Sequence, residues 1–201
     1  NLMTTIEAQE HLLDEKGFKA LANVAMTDDA VCEYSSALAF RKATPNTKCH
    51  DAIVAGGHIH AIIKLTRSEE SRTKREALIA LCDLAAEPKN KILFLEEGGL
   101  KAVLRVLTEE RDSNELLCFA TATLRHLTLC EDLKRKLYNH ECLAPVLSQC
   151  RNKHEELQRH CAGVIANLAD DSQNQVDIAR FSNCLVTIGE LGIESNQVSV
   201  K

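Results

Sequence analysis

The sequence has no tryptophan, and its five phenylalanines and two tyrosines hold aromatic content to 3% of 201 residues. A core so poor in large rings must be filled by Leu, Ile, Val and Ala, which pack closely between helices. Only three prolines and eight glycines interrupt the chain, and runs of alternating β-branched residues are nearly absent. Together these scarcities exclude a turn-rich β architecture and predict an all-helical fold. No apolar run approaches the roughly 18 residues that cross a bilayer, so no membrane association is expected. No secretory pattern opens the chain, although Asn1 and the position of Met3 leave room for a targeting segment ahead of it. The nine cysteines are odd in number and contain no C-x-x-C pair. Cys82, Cys118 and Cys161 fall inside helical patterns, where a thiol acts as a small hydrophobe. This usage points to a reduced, intracellular protein, placed in the cytoplasm with the nucleus as a second location.

Positive charge is also in deficit. Lys and Arg number 24 against 29 Asp and Glu, a formal net charge of −5, which offers phosphate no general attraction. Nucleic acid is therefore not expected as a partner. The basic run at 72–75 reads as the exposed start of a helix.

What the chain does contain is repetition, at a period of about 41 to 43 residues. The segment 55–65, with Gly56 and Gly57, overlays 96–107, with Gly98 and Gly99. A weaker copy at 139–147 sets Glu141 in the place of Gly98, while Lys16 upstream and Asn183 downstream fall in register with Gly57. Fixed periods of this size mark stacked supersecondary units. Within each unit the pattern predicts a long helix, a short one and one of middle length. In the clearest unit these are 72–86, ended by Pro88, then 90–97, then about 100–108, with the glycine pair as a left-handed helix end and turn. The same order is predicted at 115–128, 131–138 and 143–150, and again at 155–169, 174–181 and 183–191.

Residues 76–85 and 89–107, with 161–169, resemble the armadillo repeat. HEAT-like and other α-solenoids share the general pattern, but the three-helix unit and the Gly-Gly turn favour armadillo. The implied fold is an all-α, right-handed α-α superhelix over 1–201, with about three full repeats (29–70, 71–112 and 113–153), a partial repeat at 1–28 and an incomplete one at 154–201. Residues 194–201 resemble the opening of a further long helix, so a slice of a longer array is expected.

The resemblance implies that the long helices line a concave groove holding an extended partner segment, often through an Asn near the helix end. By position this is Asn167, with Lys42, Asp83 and His126 in the equivalent places. One turn earlier lie Leu38, Ile79, Ala122 and Gly163, and before those Tyr34, Arg75, Cys118 and Arg159. Peptide-import adaptors of the family carry Trp one turn before the Asn. This chain has none, which argues against a nuclear-import role. Instead, Arg75, Arg125 and Arg159 are read as anchors for an acidic or helical partner motif, with pairing to Glu76 or Glu155 as the plainer alternative. His126 stands out as a hydrogen-bonding and pH-sensitive group in the groove. The groove is thus assigned to Tyr34, Lys42, Arg75, Ile79, Asp83, Arg125, His126, Arg159 and Asn167.

Catalysis gains no support. His58 and His60 do not share a helix face, no residues show zinc spacing, and Cys49-His50 and His160-Cys161 are adjacent in sequence, which does not make a nucleophile and base. These thiols are read as core residues and the histidines as surface ones. No enzyme activity, cofactor or metal is expected. The expected role is a protein-interaction or scaffold module. Two alternatives are a regulatory domain that inhibits an attached enzyme or senses a ligand, and a module that self-assembles through its solenoid ends into a homo-oligomer.

Overall fold

The computed structural model describes residues 15–139, 142–181 and 184–190. The registers proposed at Glu141 and Asn183, and the segment 194–201, lie outside them. All regular structure among the described residues is helical, and no helix there is long and apolar enough to cross a membrane. The chain divides into two compact units, Asn1–Ala102 and Val103–Lys201.

The first unit holds α1 (Glu15–Ala25), α2 (Ala30–Ala43), α3 (Thr47–Ala55), α4 (Ile59–Leu65), α5 (Ser71–Ala86), a 3-10 turn (Pro88–Asn90) and α6 (Lys91–Glu96); α7 (Gly99–Glu109) carries the boundary. Local chemistry sets the starts. The Asp29 side chain accepts from Cys32 N at 2.8 Å and the Asn46 side chain from Lys48 N at 3.1 Å, each satisfying an amide that the first helical turn leaves open. The long helix α5 stops at Ala86, and Pro88 opens the following 3-10 turn, where its missing N–H costs nothing. Gly57 and Gly98, the pair that defined the repeat, both have left-handed φ, +69° and +87°. Only glycine enters that region without strain, so the same turn recurs for the same reason.

Helix α2 packs on α5, and α1 on α2 and α4. Phe18 and Phe40 stack with ring centroids 6.3 Å apart, above a core that includes Ile53, Ile62, Leu65, Leu78, Leu81 and Phe94. One expectation fails here: His50 is a buried histidine, not a surface one. Its Nε2 bonds the Thr44 carbonyl and its Nδ1 faces Asn90 Nδ2 at 3.5 Å. A polar ring is held inside because the helix end at Thr44 leaves a carbonyl there to be satisfied. The half-buried Glu33 is similarly held, by Lys64 Nζ and by Ser68 Oγ at 2.6 Å. Burial opposes its charge, but these bonds keep the carboxyl below its usual value of 4.5.

The second unit continues with α8 (Asn114–Thr128), α9 (Glu131–Asn139), α10 (Leu143–Cys150), α11 (Glu155–Ala169) and α12 (Ser172–Arg180); residues 184–190 form a further helix, α13. Ser113, His154 and Asp171 cap α8, α11 and α12 through bonds from Leu116 N, Leu157 N and Asn174 N. Helix α11 packs against α8 and α10, around Leu124, Leu127, Val146, Leu157, Val164 and Leu168. Lys134 is only 2% exposed, its ammonium shared by Glu131 at 2.6 Å and Asp170 at 3.0 Å.

Two buried asparagines, absent from the expected site, secure the long helices. Asn90 Nδ2 donates to Leu84 O at 3.3 Å and Asn174 Nδ2 to Leu168 O at 3.1 Å, each six residues back. Each closes a carbonyl near the end of a long helix, and Asn174 also accepts from Arg135 at 2.9 Å.

Candidate functional site

All nine expected groove residues lie on the long helices: Tyr34 and Lys42 on α2, Arg75, Ile79 and Asp83 on α5, Arg125 and His126 on α8, Arg159 and Asn167 on α11. Arg125 and Arg159 are exposed and the other seven half-buried. Cys118, which shares the register of Tyr34, Arg75 and Arg159, is buried.

In the first unit several of these side chains are engaged by their neighbours. Arg75 Nη1 lies 2.8 Å from Glu76 Oε1 and Arg41 Nε 3.2 Å from Glu76 Oε2, two cations on one buried carboxylate. The guanidinium of Arg72 sits 4.6 Å above the Tyr34 ring, a cation–π contact at the start of α5. Asp83 Oδ2 accepts from Thr44 Oγ1 at 2.6 Å.

The second unit shows the corresponding bond with different residues. Asn167 Nδ2 donates to Thr128 Oγ1 at 3.0 Å and to Arg125 O at 3.4 Å. Both threonine contacts span 39 residues. The position to which the armadillo resemblance assigns a partner contact therefore also joins one long helix to the preceding one within each unit. Beside Asn167, the Arg125 side chain lies across Gly163: a Cβ built there would stand 2.7 Å from Arg125 Nε. His160, between these arginines, is held below the usual histidine value by burial and then by the charge of Arg125, with Glu156 opposing and Arg159 adding. Arg125 and Arg159 thus act on one ring, opposed there by Glu156.

At the other end of the same helices, Cys118 Sγ contacts His154 Nδ1 at 3.5 Å. Burial, with the charges of Glu156 and Glu115, pushes the Cys118 thiol up to about 11. Burial also raises Cys49, Cys142 and Cys184, and a hydrogen bond to Cys150 with burial raises Cys161. Thiols held in this way are protonated, and the thiol is not the nucleophilic form.

Long, short and middle helices in repeated order, turned by a left-handed glycine, define the armadillo-repeat fold. No family model matches the chain. Over 84 residues, 42% of its length, the chain is 30% identical to Vacuolar protein 8 of Saccharomyces cerevisiae, a match that spans 14% of that protein. Among solved structures it is similar to a computationally designed armadillo repeat protein for modular peptide recognition, with a TM-score of 0.83 and 16% identity over 94% of this chain and 80% of that one. A designed armadillo repeat protein in complex with the peptide (KR)4 gives 0.81 at 15% identity over 94% and 80%. UNC-45 from Drosophila melanogaster gives 0.70 at 20% identity over 93% of this chain and 24% of its own. These likenesses establish the fold, one generally used as a protein-binding scaffold.

Proposed function

We propose that the chain is a protein-binding module whose second unit takes an extended acidic segment of a partner along the exposed stripe of α8 and α11, with Arg125 and Arg159 as anchors and Asn167 bonding the partner backbone. The observation that carries this reading is the placement of Arg125 across Gly163 on the stripe that also carries Arg159, where both charges depress His160. Guanidinium groups pair carboxylates with two parallel bonds, and each charge-assisted contact contributes about 1.5–3 kcal/mol. Arg75 plays the lesser part because Glu76 already engages it. The peptide in the designed complex is basic, so the charge of the preferred ligand separates this chain from that protein.

The test is fluorescence anisotropy with two labelled peptides, one of alternating Asp and Glu and one of (KR)4. The acidic peptide should bind, and Arg125→Glu/Arg159→Glu should weaken it by about tenfold or more with an unchanged circular dichroism spectrum. Binding of (KR)4 alone, or an affinity indifferent to the double charge reversal, would overturn the proposal.

A further inference from the structure

Three side chains of different metal-binding chemistry converge near the N-terminal ends of α8 and α11. Cys118 Sγ and His154 Nδ1 are 3.5 Å apart, and the ligand atoms of Cys118, His154 and Glu156 all lie within 4.8 Å of one another. Cys118 is buried, His154 half-buried and Glu156 exposed, so the cluster opens to solvent on its carboxylate side. We propose that Cys118, His154 and Glu156 form a three-ligand zinc site, its fourth position open to water.

The geometry of the pair supports this. Zinc bonds of about 2.3 Å to sulfur and about 2.0–2.1 Å to nitrogen, meeting at a tetrahedral angle, set those two atoms about 3.5 Å apart. The thiol and imidazole already stand at that separation. The nitrogen also presents the correct electrons: Leu157 N–H donates to His154 Nδ1 at 3.4 Å, and a backbone amide only donates, so Nδ1 carries its lone pair. Cys118 Sγ stands within reach of the same nitrogen, at 3.5 Å. Glu156, exposed at the start of α11, closes the remaining distance by a rotamer change.

Sulfur, nitrogen and oxygen together suit zinc. Magnesium and calcium take oxygen alone. On binding, the Cys118 S–H bond breaks, its proton passes to solvent and an S–Zn bond forms, with no change of oxidation state. His154 gives up its long N-cap bond from Leu157 N–H. Because Cys118 and His154 are 36 residues apart, no local spacing reveals the site: it is assembled by stacking one repeat on the next, and a bound ion would tie α8 to the entry of α11.

Cobalt(II) titrated into the reduced full chain tests this, read by the thiolate-to-cobalt charge-transfer band and by its loss on adding zinc. One equivalent should develop the band, Cys118→Ser should abolish it, and His154→Asn, which keeps a capping oxygen for α11, should weaken cobalt binding by at least about tenfold. Circular dichroism checks the fold of each variant. No band in the unaltered chain, a band that survives Cys118→Ser, or an affinity unchanged in His154→Asn would overturn the site; the last measurement decides the matter if Cys118→Ser does not fold.

Discussion

Replacing Gly163 by alanine separates the binding face from the core. A Cβ there would stand 2.7 Å from Arg125 Nε, 2.9 Å from Cδ and 3.5 Å from Cγ, so its three nearest neighbours belong to one flexible, exposed side chain and none is backbone. Gly163 lies in the interior of α11, where alanine is better by about 1 kcal/mol. Forcing an Arg125 torsion about 30° off its rotamer to make room costs about 0.5–1.5 kcal/mol. The two nearly cancel, and the urea unfolding free energy of Gly163→Ala should stay within about 1 kcal/mol of the unaltered chain. The guanidinium, however, leaves its place on the stripe, and the loss of one charge-assisted contact of about 1.5 kcal/mol should weaken the acidic peptide by about tenfold. In an Arg125→Ala background the same substitution should leave affinity alone and gain the full helix term. A destabilisation beyond about 2 kcal/mol would mean that the backbone is obstructed after all. Unaltered peptide affinity would mean that the seat of Arg125 on Gly163 has no part in recognition.

Asn174→Ala removes the donor to Leu168 O and the acceptor for Arg135; urea denaturation should show a loss of about 2–3 kcal/mol, and a change below about 0.5 kcal/mol would refute the closing role given to this asparagine. Glu33 has a folded pKa lowered beneath 4.5, so its contribution is complete above the unfolded value and is lost as pH falls through the lower folded one. The stability gap between the unaltered chain and Glu33→Gln, followed by urea midpoints from about pH 6 to about pH 3, should therefore narrow on acidification. A gap that widens would contradict it.

The repeat was legible because it rests on backbone constraints. Gly57 and Gly98 each occupy a left-handed φ, a requirement that survives divergence of every neighbouring side chain. Helix order was legible for a related reason, since Pro88 and the turn glycines act within their own turn. Contacts made across one repeat were not. His50 looks like any surface histidine until the Thr44 carbonyl and Asn90 are brought beside it, and Lys134 looks solvated until Asp170 arrives. Asn90 and Asn174 left one trace: the same residue type recurs two periods apart, next to helices that otherwise differ. The thiol–imidazole–carboxylate cluster left none, since residues that meet only by stacking have no motif.

The paired bonds from Thr44 to Asp83 and from Asn167 to Thr128 carry a mechanical implication. Any ligand that takes a hydrogen bond from Asn167 Nδ2 must first detach that donor from Thr128 or Arg125, and the helix pair is then joined by one fewer polar fastening. Occupancy and stiffness are coupled at that rung: a tightly held guest makes a more compliant host, and a stretched host offers its amide more readily.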